Sequence, residues 1–172
     1  MRFPGSAYRA HDPRWSFKPL SGEGAAVHGG RFNPKGTPAL YLALDPMTAI
    51  KEAAQGFAHK FEPCVLCSYD VDCEDLVDLR TDTDRTAAGV AFGDMAGAWF
   101  ADAAAGREPP SLRLAKRLRM EGAAGLLTPS FAVAAVASDA NLVLWRWSGA
   151  RPHCVAVHDP SGRLPKNQLS WR

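Results

Sequence analysis

The most informative part of the chain reads Gly29-Gly30-Arg31-Phe32-Asn33-Pro34-Lys35-Gly36 and continues, two residues later, as Ala39-Leu40-Tyr41-Leu42-Ala43. Paired glycines let a backbone turn tightly and approach a ligand closely. An arginine beside them can hold a phosphate through two hydrogen bonds in a fixed fork. A tyrosine in the apolar run offers a flat face on which a ring can stack. The stretch therefore predicts a loop and a strand that bind a ligand carrying both a phosphate and a ring.

A helix-start signal, Asp45-Pro46, follows this strand and leads to Glu52. Aspartate at the N-cap and proline at the first helical position favour a helix, which we expect over 46–58. A carboxylate on that helix can stabilise positive charge that develops during a reaction. Combined with Arg31 and Tyr41, it describes a site with a cationic transition state, and NAD cleaved at its nicotinamide–ribose bond fits this description.

The composition predicts one domain over residues 1–172, because 172 residues with 47% hydrophobic content can enclose a core. A net charge of +2, from 20 basic and 18 acidic residues, gives no argument for direct contact with nucleic acid or an anionic membrane. No run approaches the roughly 20 apolar residues that span a bilayer. The first residues lack the apolar segment of a secretory signal, so we expect a cytoplasmic protein.

The cysteine pattern Cys64-Val65-Leu66-Cys67 has the form of a metal or redox pair. The segment 64–71 has the pattern of a strand, however, and strand residues three apart face opposite sides. No second pair follows at zinc-ribbon spacing. We therefore predict packed, reduced thiols and no metal. The chain also lacks the glycine-rich, Walker A and His-Glu-x-x-His motifs, which argues against a Rossmann oxidoreductase and a P-loop enzyme.

Apolar periodicity and breakers predict an α+β organisation. Strands are expected at 7–11, 39–43, 64–71, 125–127, 141–147 and 153–158, with a turn at Ser148-Gly149 joining the last two. Helices are expected at 46–58, 84–105 and 111–121, and 12–38 is a long loop that carries Arg31. A loop of that length is unusual unless it has a function. Strands dominate both ends and helices the middle, which is typical of α+β rather than regular βαβ winding.

The first three candidate residues also have structural interpretations. Arg31 fits a surface arginine in a mobile loop, and Tyr41 fits a core tyrosine whose hydroxyl is hydrogen-bonded. Helical periodicity puts Glu52 opposite the apolar face, where a glutamate normally meets solvent. That apolar face comprises Met47, Ile50, Ala54 and Phe57. Glu52 is nevertheless flanked by small residues that would let a loop or ligand approach, namely Ala49, Ala53 and Gly56.

Ser130, Arg9 and the helix 111–121 each have a functional and a structural interpretation as well. Ser130 follows Thr128-Pro129 at a strand end, where a serine can donate to a phosphate or sugar hydroxyl or simply cap a turn. Arg9 lies within a strand as an edge residue or a buried ligand contact. The helix 111–121 is basic, with its charges on a solvated face or against an acidic partner.

The order and context of these residues resemble the RES-domain toxins of bacterial toxin–antitoxin pairs, in particular the ParT-like branch. That family is named for an arginine, a glutamate and a serine, which here match Arg31, Glu52 and Ser130. The resemblance covers about residues 8–157. It is supported by the segments Tyr8-Arg9, Tyr41-Leu42-Ala43 and Asn141-Leu142-Val143. One departure is the apolar run Phe131-Ala132-Val133-Ala134-Ala135 after the serine, where a more polar stretch is expected.

The resemblance implies an ADP-ribosyltransferase-like split mixed β-sheet with surrounding helices. It also implies an NAD-consuming enzyme without a metal, in which Arg31 and Arg9 hold the pyrophosphate, Tyr41 stacks on nicotinamide and Glu52 stabilises the cationic ribose. Ser130 would orient a phosphate or a ribose hydroxyl. The family pattern places Gly30, Phe32 and Asn33 in the NAD site as well.

The same resemblance implies partners. ParT-like toxins transfer ADP-ribose to a protein, with phosphoribosyl pyrophosphate synthetase as the suggested target, and an Xre-type helix-turn-helix antitoxin holds them inactive. Other family members split NAD with water or phosphate, so an NAD glycohydrolase or phosphorylase is the alternative enzyme. A non-catalytic nucleotide-binding module is the alternative of another class.

Overall fold

The computed structural model describes residues 1–54 and 62–171, which form a seven-stranded sheet with short helices around it. The strands are β1 (Phe3–His11), β2 (Leu40–Ala43), β3 (Val65–Cys73), β4 (Leu76–Asp78), β5 (Gly125–Pro129), β6 (Ala140–Leu144) and β7 (His153–Val157). The helices are α1 (Glu23–His28), α2 (Pro46–Ala54), α3 (Asp82–Ala87), α4 (Phe92–Ala96), α5 (Trp99–Ala104) and α6 (Pro110–Met120). Short 3-10 turns lie at Pro13–Trp15 and Gln168–Trp171.

The sheet is mixed and split near its centre. Its strand order is β4-β5-β6-β2-β1-β3-β7; β4 and β5 are parallel, and the other neighbours are antiparallel. β1 pairs with β3 along its whole length, whereas the pair described between β1 and β2 is Tyr8↔Ala43 alone. The two halves of the sheet therefore diverge beyond this point. The predicted α+β class with a split mixed sheet is confirmed.

Both faces of the sheet are buried, because side chains alternate between the faces along each strand. One face forms a core from Leu40, Leu42, Tyr69, Val71, Leu142 and Leu144. The other face packs against α6 and the loop before β2, through Phe32, Leu114, Leu118, Leu126, Val143 and Trp145. The loop that carries Arg31 is thus fixed to the second core by its neighbour Phe32, which is 2% exposed.

Several predicted elements differ from the structure. The expected loop 12–38 contains α1, which was not predicted because this helix is short and carries an internal glycine. The expected helix 84–105 is divided into α3, α4 and α5, with breaks at Gly89 and Gly97. β4 was missed because three residues are too few to show a period. β6 ends at Leu144, and β7 pairs with β3, so the turn at 148–149 does not form a hairpin.

Helix α2 begins as predicted but is rotated relative to its expected orientation. The Asp45 carboxylate accepts from the N–H groups of Met47 (2.8 Å) and Thr48 (3.2 Å), which confirms the N-cap. Met47, on the predicted apolar face, is 58% exposed, whereas Thr48 and Ala49 are buried. The prediction of that face was wrong because Thr48 is buried through a hydrogen bond to Asp139 instead of by apolar packing. The predicted residues 55–58 lie outside the described residues.

All four cysteines are free thiols, and Cys67 and Cys73 are buried in the sheet. Burial raises the pKa of Cys73 to about 12, so this thiol stays protonated. Across residues 1–54 and 62–171, no group of three His, Cys, Asp or Glu residues has a geometry that suits a metal ion. Within the same ranges, no helix is long and apolar enough to cross a membrane.

Candidate active site

A cavity of about 770 Å³ opens where β1 and β2 diverge. Its volume lies within the range of ordinary small-molecule sites, roughly 300–1,000 Å³. The α2 helix contributes Ala49, Glu52 and Ala53 to the wall, as the small residues around Glu52 had predicted. Most of the other predicted site residues line the same cavity, namely Arg9, Gly30, Arg31, Phe32 and Tyr41. Residues far apart in the sequence are therefore brought together in one place.

The paired glycines shape the loop on one side of this cavity. Gly29 ends α1 with a φ of 73°, a left-handed conformation that favours glycine. A Cβ on Gly30 would lie 2.6 Å from both the Asn33 amide oxygen and the Tyr41 hydroxyl. Any side chain there would push the loop off β2. The two glycines thus have separate roles, one ending a helix and the other permitting close approach.

Asn33 and Tyr41 fasten the loop to β2. The Tyr41 hydroxyl accepts from the Phe32 N–H at 3.0 Å and donates to the Asn33 side-chain oxygen at 2.7 Å. Asn33 is fully buried and donates in turn to the carbonyls of Ala25 and Thr37. Burial raises the pKa of Tyr41, so its hydroxyl remains a neutral donor. Asn33 supports the loop from behind the cavity wall, while the half-buried Tyr41 lines the cavity.

Arg31 spans the cavity wall and is held on two sides. Its Nη1 donates to the carbonyls of Met95 and Gly97, both at 2.7 Å. These carbonyls lie at the break between α4 and α5, and the Gly97 carbonyl also accepts from the Trp99 N–H at 2.8 Å. The guanidinium also lies 4.6 Å from the ring centroid of Phe131. Burial lowers the pKa of Arg31 and the nearby Glu52 opposes that shift, so the arginine stays charged in a partly dry site.

Two side chains, one directly after β5 and one in β6, fix the carboxylate of Glu52. Its Oε1 accepts from the Ser130 hydroxyl at 2.6 Å and from the Asn141 amide at 2.5 Å. Ser130 lies directly after β5, and Asn141 lies in β6, so both donors come from neighbouring strand positions. Glu52 is half-buried and lines the cavity. The polar face of α2 therefore meets a polar surface of the protein, which helical periodicity alone cannot distinguish from solvent.

A second set of polar contacts keeps this helix face in place. Asp139, in the loop between β5 and β6, accepts from the Thr48 hydroxyl at 2.8 Å and pairs with Lys51 at 2.7 Å. It also accepts from the Val136 N–H at 2.8 Å. The hydrogen bond from Lys51, followed by those from Val136 and Thr48, lowers the pKa of Asp139 to about 2. Helix α2 is thus attached to the β5–β6 loop through Thr48, one turn before Glu52, and through Lys51, directly before it.

Arg9 approaches the cavity from β1. Its Nη1 donates to the Ser21 carbonyl at 3.1 Å, and burial lowers its pKa, partly offset by Tyr69 and Cys67. No carboxylate in the described part of the chain forms an ion pair with Arg9 or Arg31. Buried charges are normally paired. Two half-buried arginines that line one cavity, without a carboxylate ion-pair partner in the described structure, therefore favour an anionic ligand.

Some contributors to the site were not assigned a role from the sequence. Phe131 belongs to the apolar run that departed from the family pattern, and its ring lies against the Arg31 guanidinium. Asn141 was noted only as part of a supporting segment. Asp139 and the carbonyls of Met95 and Gly97 gave no sequence signal, because their contacts join residues far apart in the chain. The basic residues of α6 are exposed, and both interpretations of this helix, a solvated face and a contact with an acidic partner, stay predictions.

The sequence model of the RES domain family matches residues 6–167. The chain belongs to the RES domain family. This RES domain is also similar to a chain of the solved Mycobacterium tuberculosis MbcT–MbcA toxin–antitoxin complex, with a TM-score of 0.63 and 25% identity over 92% of this chain and 84% of that one. Comparison with curated protein sequences finds no match. The predicted family is confirmed, and the ParT-like branch stays a prediction.

In this RES domain two of the three family residues are in direct contact. Ser130 donates to Glu52, and Arg31 lies on another wall of the same cavity. The Ser130 side chain is directed at the carboxylate. Its partners in the described structure are Glu52 and the N–H of Ala132.

Proposed function

We propose that this RES domain is the toxin of a toxin–antitoxin pair that cleaves the nicotinamide–ribose bond of NAD and transfers ADP-ribose to a protein. The observation that carries the proposal is the cavity itself, which is lined by one carboxylate, Glu52, and by two half-buried arginines that have no carboxylate ion-pair partner in the described structure. A dinucleotide offers a pyrophosphate to the arginines and a ribose to the carboxylate. The similarity to a chain of a toxin–antitoxin complex supports the toxin role.

The arginines would act in binding. Arg31 keeps Nε and Nη2 without a hydrogen-bond partner in the described structure, since its recorded bonds all use Nη1. These remaining donors can take pyrophosphate oxygens in a bidentate arrangement. The Phe131 ring packs against the Arg31 guanidinium and limits its rotation, and Arg9 adds a second positive charge from β1. Tyr41 would place its ring against nicotinamide, because its hydroxyl is already bound and only the ring remains available.

Glu52 would act on the transition state. As the bond between nicotinamide and ribose breaks, its electron pair leaves with neutral nicotinamide and the ribose carbon becomes cationic. A fixed carboxylate beside that carbon stabilises the charge as it forms, which is the logic of glycoside cleavage. A nucleophile of the acceptor then adds to the ribose carbon and gives up its proton. Phosphoribosyl pyrophosphate synthetase is the acceptor that the family resemblance suggests.

An Xre-type helix-turn-helix antitoxin would keep the enzyme inactive by covering the cavity mouth. Two cavity-lining residues, Phe100 on α5 and Val133 after β5, are 72% and 67% exposed. Exposed apolar side chains at the rim of a site favour a protein partner. The basic face of α6 would add charged contacts. A purified toxin–antitoxin complex is expected to consume NAD far more slowly than free toxin, and equal rates would refute occlusion.

The proposal is tested by incubating the purified protein with labelled NAD. Release of nicotinamide separates an enzyme from a nucleotide-binding module, which would retain NAD unchanged. A second incubation, with bacterial lysate and NAD labelled in the adenylate part, separates the acceptors. Label on a protein band supports transfer, whereas label only in free ADP-ribose or its phosphorylated form indicates a glycohydrolase or phosphorylase. Absence of nicotinamide release would contradict the enzyme proposal.

A further inference from the structure

The Glu52 carboxylate is held asymmetrically. Both hydrogen bonds that the described structure gives it end on Oε1, one from Ser130 and one from Asn141. Oε2 has no protein partner in the described structure, although Glu52 lines the cavity. Two donors on one oxygen fix the rotation of the carboxylate about its last bond. The arrangement thus leaves Oε2 as the atom available to a ligand.

Ser130 can only be the donor in its contact with Glu52. Its Oγ accepts from the N–H of Ala132 at 3.2 Å and donates to the Glu52 carboxylate at 2.6 Å. The single hydroxyl proton therefore points to Oε1. The backbone N–H of Ser130 is bound to the Asp139 carbonyl at 2.8 Å, which closes the loop between β5 and β6 and fixes the serine.

Asn141 is placed for the same carboxylate by strand register. Asn141 lies opposite Ala43 of β2 on one side and opposite Thr128 of β5 on the other. Directly opposed strand residues have Cβ atoms about 4.5–5.5 Å apart. Ala43, Glu52 and Asn141 all line the cavity, so the residue that faces Asn141 across β2 is a small one.

The side-chain oxygen of Asn141 indicates that stabilising the fold is not the reason for an asparagine at this position. Its side-chain oxygen is buried and has no hydrogen-bond partner in the described part of the chain. A buried polar atom without a partner lowers the stability of a folded protein, because its hydrogen bonds to water are lost and not replaced. A residue selected for packing would avoid that loss. The bond to Glu52 is the one contact in the described structure that uses the amide.

We infer that Asn141 is a positioning residue which, together with Ser130, holds Oε1 of Glu52 so that Oε2 faces the ribose of the substrate. The inference rests on the proposed function and adds a residue that the Arg-Glu-Ser pattern does not contain. Asn141 acts through Glu52 and does not itself contact the reacting atoms. Its removal leaves the arginines and Tyr41 in place, so substrate binding persists while the carboxylate loses its alignment.

The test compares Asn141→Ala, Asn141→Asp and the control Asn167→Ala, an exposed asparagine near the C-terminus. Asn141→Ala is expected to lower kcat for nicotinamide release by about 10- to 100-fold with little change in KM, because misaligned groups lose rate rather than affinity. Asn141→Asp places a second carboxylate beside Glu52. Its activity is expected to recover as pH falls from about 8 to about 6, where a shared proton restores the donor.

Crystal structures of the same variants give a readout that does not depend on activity. The Glu52 carboxylate is expected to rotate or occupy two positions in Asn141→Ala and to stay in place in Asn167→Ala. Wild-type turnover in Asn141→Ala, equal losses in kcat and affinity, or an unmoved carboxylate would each overturn the inference. An inactive wild-type protein would refute the proposed enzyme, and the crystallographic comparison would still decide whether Asn141 positions Glu52.

Discussion

Replacing Glu52 with glutamine removes a charge and keeps almost every contact. The glutamine carbonyl oxygen can take the place of Oε1, because Ser130 and Asn141 both donate to that atom. The amide nitrogen then occupies the position of Oε2 and faces the cavity. NAD binding is expected to change little, since a ribose hydroxyl can accept from this amide instead of donating to the carboxylate.

The rate effect follows from the lost charge. A unit charge about 4 Å from a developing cation is worth about 4 kcal/mol at an effective dielectric constant of about 20. Each 1.36 kcal/mol corresponds to about tenfold in rate, so the full charge is worth about 10³-fold. Glu52 is half-buried, and water screens part of this field. A loss of 10²- to 10³-fold in kcat is therefore expected, on the scale of removing one electrostatic stabiliser from an active site.

The assay measures single-turnover nicotinamide release and, separately, NAD affinity by calorimetry. The matched control is Glu74→Gln, an exposed glutamate directly after β3. If Glu52→Gln kept turnover within about threefold of wild type, the carboxylate would not stabilise the transition state. If affinity fell as far as turnover, Glu52 would act in ground-state binding, and the charge argument would be wrong.

Four further outcomes are expected. Arg31→Ala should weaken NAD binding by about 1.5–3 kcal/mol, measured by calorimetry against the exposed control Arg119→Ala; wild-type affinity would contradict the phosphate role. Cytoplasmic expression of the wild type without an antitoxin should arrest bacterial growth and lower NAD, and harmless expression with unchanged NAD would count against a toxin. Burial lowers the pKa of His11 to about 4. Between about pH 6.5 and about pH 4, this imidazole therefore binds a proton in the unfolded chain but not in the folded protein. Stability should therefore fall by about 3 kcal/mol as pH drops from about 6.5 to about 4, and His11→Gln should flatten that slope in urea titrations. Lys51 and its neighbours lower the pKa of Asp139 to about 2, so its stabilising contribution should be present above about pH 4 and lost towards pH 2; Asp139→Asn should remove this acid step, and an unchanged step would refute the assignment.

The site loop and the start of α2 could be predicted because their signals are local. Paired glycines indicated a tight turn, and the structure uses one for a positive φ and the other for close approach to Tyr41. Asp45-Pro46 indicated a helix start, and the carboxylate caps the first N–H groups. Each of these depends on interactions within a few residues, which a sequence displays directly. The family pattern then selected Arg31, Tyr41 and Glu52 from among their structural interpretations.

The tertiary structure alone decided what the polar face of α2 meets. Periodicity separates apolar from polar faces, but it cannot tell water from a polar surface supplied by another part of the chain. Ser130 and Asn141 reach Glu52 across 78 and 89 residues of sequence. That contact depends on β6 pairing with β2 and β5, and such long-range strand pairing leaves no mark in the local pattern. The sequence by itself indicated Arg31, Tyr41 and Glu52 as candidate groups of the site, and the sheet topology determined which oxygen of Glu52 remains open to a ligand.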